Sequence, residues 1–93
     1  MDININALRE KEARLLKIFS ERNYSHWYIS SYKSVFNKVF TLVGNGKHQT
    51  YEGVFTYYLA TRSGPSLRRA KNILSSIRYF DTYGTYPEGK MKP

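Results

Sequence analysis

The side chains in this 93-residue chain that could do covalent or acid–base chemistry are two histidines, nine tyrosines and seven acids. His26 and His48 lie far apart and have no metal-ligand spacing. There is no cysteine, which excludes a disulfide scaffold, a zinc–cysteine site and a thiol nucleophile. No His-Glu-x-x-His pattern, nucleophile elbow or glycine-rich phosphate loop is present. Gly44-Asn45-Gly46-Lys47 reads as a helix-stop turn, not a phosphate cradle. Four of the seven acids (Asp2, Glu10, Glu12, Glu21) fall in the first 22 residues, which leaves little for a paired-carboxylate site. No Arg and His constellation surrounds a tyrosine, so packing accounts for most of them.

What remains is binding. Fifteen Lys and Arg against seven Asp and Glu leave a net charge of +8, an excess that points to a polyanionic partner. Residues 1–22 carry five bases and four acids, net +1, so residues 23–93 hold the remaining +7. Two groups of residues could use that charge. Arg68, Lys71, Asn72, Ser75, Arg78 and Tyr79 share one side of a helical stretch near the C-terminus. Arg and Lys neutralise phosphates, Arg can take guanine and Asn can take adenine bidentately, and hydroxyls contact phosphates. Ser25, His26, Trp27 and Tyr28 form the second group, beside the free N–H groups of a helix first turn, where anions are favoured. Trp27 suits packing and contact equally well, Tyr28 and Tyr32 have core spacing, and Lys33 lies on the polar side.

These groups must be positioned by helices. A first helix over about residues 4–22 places Leu8, Leu15 and Phe19 on one face, with Asp2 or Asn4 able to cap it. A second runs from Ser25 to about Val43. Its apolar stripe passes through Tyr28 or Ile29, Tyr32, Val35 or Phe36, Val39 or Phe40, and Val43, and it contains no acid. Residues 50–61 match the helical template through Tyr51, Val54, Phe55, Tyr58 and Leu59. Their Val, Phe, Thr and Tyr content also suits a strand, and Gly53 weakens either reading. A fourth helix, about residues 65–83, opens on Pro65 and ends at Gly84. At 100° per residue from Leu67, its apolar residues fall between about 220° and 360°, and Lys71, Arg78, Ser75, Arg68, Tyr79 and Asn72 between about 20° and 140°. The Pro, Gly and Lys of 85–93 read as a linker or tail. The expected architecture is therefore one compact all-α domain of four helices, spanning about residues 1–84. No apolar run reaches membrane-span length and the N-terminus is not a signal peptide, so a cytoplasmic protein is the default expectation.

The segment Glu21-Arg22-Asn23-Tyr24-Ser25-His26-Trp27-Tyr28-Ile29-Ser30-Ser31-Tyr32-Lys33 resembles the "ergyS…T…Y" opening of the N-terminal core-binding domain of tyrosine recombinases, the phage integrase family. Trp27-Tyr28 departs from the Ser or Thr usual there. Gly64-Pro65-Ser66-Leu67-Arg68-Arg69-Ala70-Lys71-Asn72-Ile73-Leu74-Ser75-Ser76-Ile77-Arg78-Tyr79-Phe80 is similar to that domain's last helix, "s…t..r.lsalr.fy", and residues 50–60 to the short helix before it. The resemblance covers about residues 8–87, and it is carried by the order and spacing of the three degenerate motifs together.

The resemblance implies a four-helix, SAM-like orthogonal bundle that forms half of a clamp around double-stranded DNA. The other half would be a C-terminal catalytic domain of the parent chain, whose Arg, Lys, His-x-x-Arg and nucleophilic Tyr cannot be placed here. The chain would then be a non-enzymatic fragment of a DNA recombinase, needing no cofactor or metal, without a membrane partner, and monomeric in isolation. The family's DNA-facing second and fourth helices map onto Ser25, Lys33, Ser66, Arg68, Arg69, Lys71 and Asn72, with Arg62 in the preceding loop. Trp27, Ser75 and Arg78 complete the expected DNA-contacting set. The competing expectation is a helical protein–protein interaction domain in which exposed tyrosines form the surface and the basic charge is incidental. DNA binding should weaken steeply with salt, whereas an aromatic protein interface should not.

Overall fold

The computed structural model describes residues 2–85. Four helices account for most of them: α1 (Ile5–Glu21), α2 (His26–Gly44), α3 (Tyr51–Thr61) and α4 (Gly64–Tyr83). There is no strand among the described residues. The chain is an all-α, four-helix bundle, as its periodicity implies. The linker or tail expected over 85–93 lies, beyond Thr85, outside the described residues.

Local chemistry explains where three helices begin. Asn4 accepts a hydrogen bond from the Ala7 N–H at 3.0 Å, Ser25 from the Tyr28 N–H at 3.1 Å, and Thr50 from the Gly53 N–H at 3.1 Å. Each cap satisfies a donor that the helix itself cannot and stabilises its helix by about 1 kcal/mol. α2 ends where the glycines predict. Gly46 adopts φ 79°, and the turn returns the N–H groups of Lys47 and His48 to the Leu42 carbonyl. α4 starts one residue earlier than the Pro65 signal suggests, on Gly64 at φ 60°, and stops on Gly84 in the left-handed region at φ 72°.

The segment over 51–61 is helical, not extended, and Gly53 has a packing reason. A Cβ built there would stand 2.8 Å from His48 Nδ1 and 3.0 Å from His48 Cβ. The glycine thus lets the α2–α3 loop lie against α3. Ile3 ties the N-terminal segment to the same loop by donating its N–H to the Gln49 carbonyl at 2.7 Å.

α4 packs against each of the other three helices, and α1 also packs against α2. The core is built from the faces that periodicity selects. Leu8, Leu15 and Phe19 are buried on α1; Tyr28, Tyr32, Val35, Phe36, Val39, Phe40, Leu42 and Val43 on α2. Tyr51, Val54 and Tyr58 join them from α3, and Ala70, Ile73, Leu74, Ile77 and Phe80 from α4. Phe19 is the centre of an aromatic group, its ring centroid 4.8–5.2 Å from those of Tyr24, Tyr28 and Tyr32. These spacings are those of favourable stacked and edge-on pairs. The group fixes the α1–α2 turn, and with it the start of α2.

A polar tie closes the other end. Lys11 donates to Asp81 Oδ1 at 2.8 Å and to the Asp81 carbonyl at 2.7 Å, while the Tyr51 hydroxyl donates to Asp81 Oδ2 at 2.7 Å. Three helices therefore meet on the one acid of α4. Burial first, then the hydrogen bond to Asp81 and its charge, push the Tyr51 phenol far above its ordinary range. Burial also raises Tyr58, against the opposing charge of Arg62. The folded protein holds both protons at a pH where the unfolded chain releases them. Their contribution to stability is complete below about pH 10 and is lost as pH rises beyond it. In an alkaline titration, two of the nine tyrosines should give phenolate absorbance only as the helical circular dichroism collapses. All nine ionising together with helicity intact would show that these hydroxyls are not held as described.

Candidate nucleic-acid interface

The α4 sequence separates two surfaces cleanly. Its buried residues lie between about 180° and 340° around the axis from Leu67, while Arg68, Lys71, Asn72, Ser75 and Arg78 lie between about 20° and 140° and are exposed. Successive turns of that outer face, Gly64, Leu67, Arg68, Lys71 and Asn72, line a shallow concavity of about 290 Å³ open to solvent. Ser66 is exposed in the first turn, where the Ser63 side chain makes no cap hydrogen bond.

Arg69 falls at about 200°, off the outer face, and it has a different partner. Its guanidinium carbon stands 4.7 Å from the centroid of the Trp27 ring. Trp27 is 56% exposed, so it is a surface residue and not part of the core. This contact draws the first turn of α2 against the α4 surface. The Ser25 hydroxyl oxygen is used to cap α2, and its O–H remains able to donate. His26 is exposed and lies 3.4 Å from the Ser30 hydroxyl.

The other expected contacts are less well gathered. Lys33 is exposed, but about 120° around α2 from Trp27. It lies close enough to Glu12 of α1 to act on that carboxyl. Burial raises the Glu12 pKa, and Arg9 and Lys33 oppose the rise. Lys33 thus belongs to the α1 side. The Arg62 guanidinium folds back over the Tyr58 ring, 5.0 Å from its centroid. Arg78 pairs with Glu52 of α3 at 3.2 Å. That pair is largely exposed and contributes little, so a phosphate can compete for the arginine. Lys38, not singled out from the sequence, shares Trp27's face of α2 at an eleven-residue spacing and rests 5.2 Å from the Tyr57 ring centroid.

Among the described residues Glu52 is the acid paired with this surface, through Arg78. α4 carries no acid from Gly64 to Phe80, and α2 none from Ser25 to Val43. Asp81 is engaged by Lys11 and Tyr51 on the inner side. The arrangement can attract and hold a polyanion. Among the described residues no group of three or more His, Cys, Asp or Glu is placed to hold a metal ion. No described helix is long and apolar enough to cross a membrane.

No family model, no curated protein and no solved structure matches this chain.

Proposed function

We propose that this domain is a DNA-binding module that holds a duplex on the outer face of α4 and the first turn of α2. The observation that carries the reading is the acid-free outer face of α4, on which Arg68, Lys71, Asn72 and Ser75 are exposed together; the Arg69–Trp27 contact ties the first turn of α2 to the same helix. Arg68 and Lys71, exposed one turn apart, are the phosphate contacts, and Asn72 and Ser75 beside them are the residues that reach toward base edges or sugar. Ser25 and Ser66, at the starts of α2 and α4, bring hydroxyls and helix N-termini to the same polyanion. Arg78 joins when phosphate displaces Glu52. The resemblance to the recombinase core-binding domain supports the further proposal that the parent protein cuts and rejoins DNA through a catalytic domain absent from this sequence. In that reading this chain clamps and does not react. A cytoplasmic location goes with it.

A two-dimensional NMR titration with a duplex of roughly 20 base pairs, about two helical turns, at two salt concentrations tests this. Shifts should concentrate on Ser25–Tyr28 and Ser66–Arg78. Neutralising about 4–6 phosphates gives a log–log salt slope of about −4 to −5. Shifts absent at low salt, or confined to Leu59 and Tyr83 and unchanged by salt, would overturn the proposal in favour of a protein-binding surface.

A further inference from the structure

Trp27 is the only tryptophan in the chain, and its setting is not that of a packing residue. The Arg69 guanidinium carbon stands over the indole ring, 4.7 Å from its centroid, and 56% of the residue's surface remains exposed. The cation over the ring holds the indole in place, and the ring sits in the first turn of a helix pinned by the Ser25 cap. A flat, apolar surface is thus presented to solvent with the Arg69 guanidinium against it. A ligand that fits must be planar on one side and anionic on the other. A nucleotide has both properties: the base stacks on the exposed indole and its phosphate meets Arg69. Within an intact duplex both faces of each base are already stacked, and only the edges are offered. The base must therefore be unpaired.

We infer that Trp27, backed by Arg69, is a stacking site for one unpaired nucleobase at the margin of the duplex-binding surface. The inference rests on the DNA-binding reading above and specifies the kind of DNA held. The site would prefer a duplex carrying a bulge, gap or frayed end over a continuous one. Base-on-aromatic stacking accounts for a preference of roughly 5- to 100-fold, with little dependence on which base is unpaired.

The lone tryptophan makes the test direct. Two labelled duplexes are compared, identical except that one carries a central bulge of unpaired thymines. Binding is followed by anisotropy and stacking by quenching of indole emission. The bulged duplex should bind more tightly and quench strongly, and the continuous duplex should bind with little quenching. Trp27→Ala should bind both duplexes equally, at the affinity of the continuous one, while Trp27→Phe keeps part of the preference. Because the residue is exposed, both variants should retain native circular dichroism. Binding of both duplexes with equal affinity and unchanged indole emission would overturn the stacking site while leaving the DNA-binding reading intact. Failure of both duplexes to bind at low salt would overturn the two together.

Discussion

Phe19→Ala should bring this domain close to spontaneous unfolding. The ring is fully buried and sits within 4.8–5.2 Å, centroid to centroid, of Tyr24, Tyr28 and Tyr32. Removing it forfeits the transfer free energy of a phenyl group, leaves a cavity, and strips three aromatic neighbours of a partner. The cost is about 3–5 kcal/mol. A small domain has a total stability at the lower end of about 5–15 kcal/mol, so half or more of it goes. Urea titrations followed by circular dichroism should show the midpoint falling by at least half, and the thermal midpoint should drop by roughly 15–35 °C. Trp27→Ala, at the exposed end of the same turn, should change stability by about 1 kcal/mol or less. The contrast separates two aromatic residues eight positions apart in the chain: one holds the turn, the other is displayed by it. A Phe19→Ala loss below about 1 kcal/mol would mean that the aromatic group is loosely packed and cannot orient the start of α2.

That contrast also shows where the sequence is readable and where it is not. Phe19 is recognisable because it repeats with Leu8 and Leu15 on one helical face, and a buried stripe needs only local spacing to be seen. The Ser25 cap, the Gly46 turn and the Gly84 stop are local in the same way. Trp27 is different. It stands in a first turn, where no preceding turn of its own helix defines a face. Its ring contact is with Arg69, a residue of α4 more than forty positions on. Arg69 itself lies between the apolar and polar arcs of α4, so angle alone assigns it to neither. The same limit applies to Arg78, which the helical wheel places on the outer face but which the position of α3 brings to Glu52. It applies again to Lys33, whose place on the polar side of α2 does not reveal that its charge acts on Glu12 of α1. Gly53, ambiguous between helix and strand on propensity, is explained by the approach of His48. Periodicity thus supplies the helices and their buried sides. Pairings across helices set the composition of the site, and no local pattern encodes them.

The double charge reversal Arg68→Glu with Lys71→Glu should abolish duplex binding at moderate salt and weaken it roughly 100-fold or more at low salt. Both side chains line the same open concavity of α4, and among the described residues neither is paired with an acid. Each contributes about one released counterion, so removing both should reduce the magnitude of the salt slope by about 2. Reversal adds repulsion from the phosphates to that loss. Folding should survive, because both positions are exposed. The control that gives the result meaning is Lys17→Glu with Lys47→Glu. It changes the net charge by the same amount at exposed positions on α1 and in the α2–α3 loop. If the +8 charge acted only as a diffuse attraction, the two double variants would bind equally weakly. If α4 is the surface on which the duplex rests, the control retains the full slope apart from a small long-range loss, since charges beyond about 8–10 Å are screened at such salt. The α4 variant alone loses the phosphate contacts, and with them the register that would carry a nearby unpaired base to Trp27.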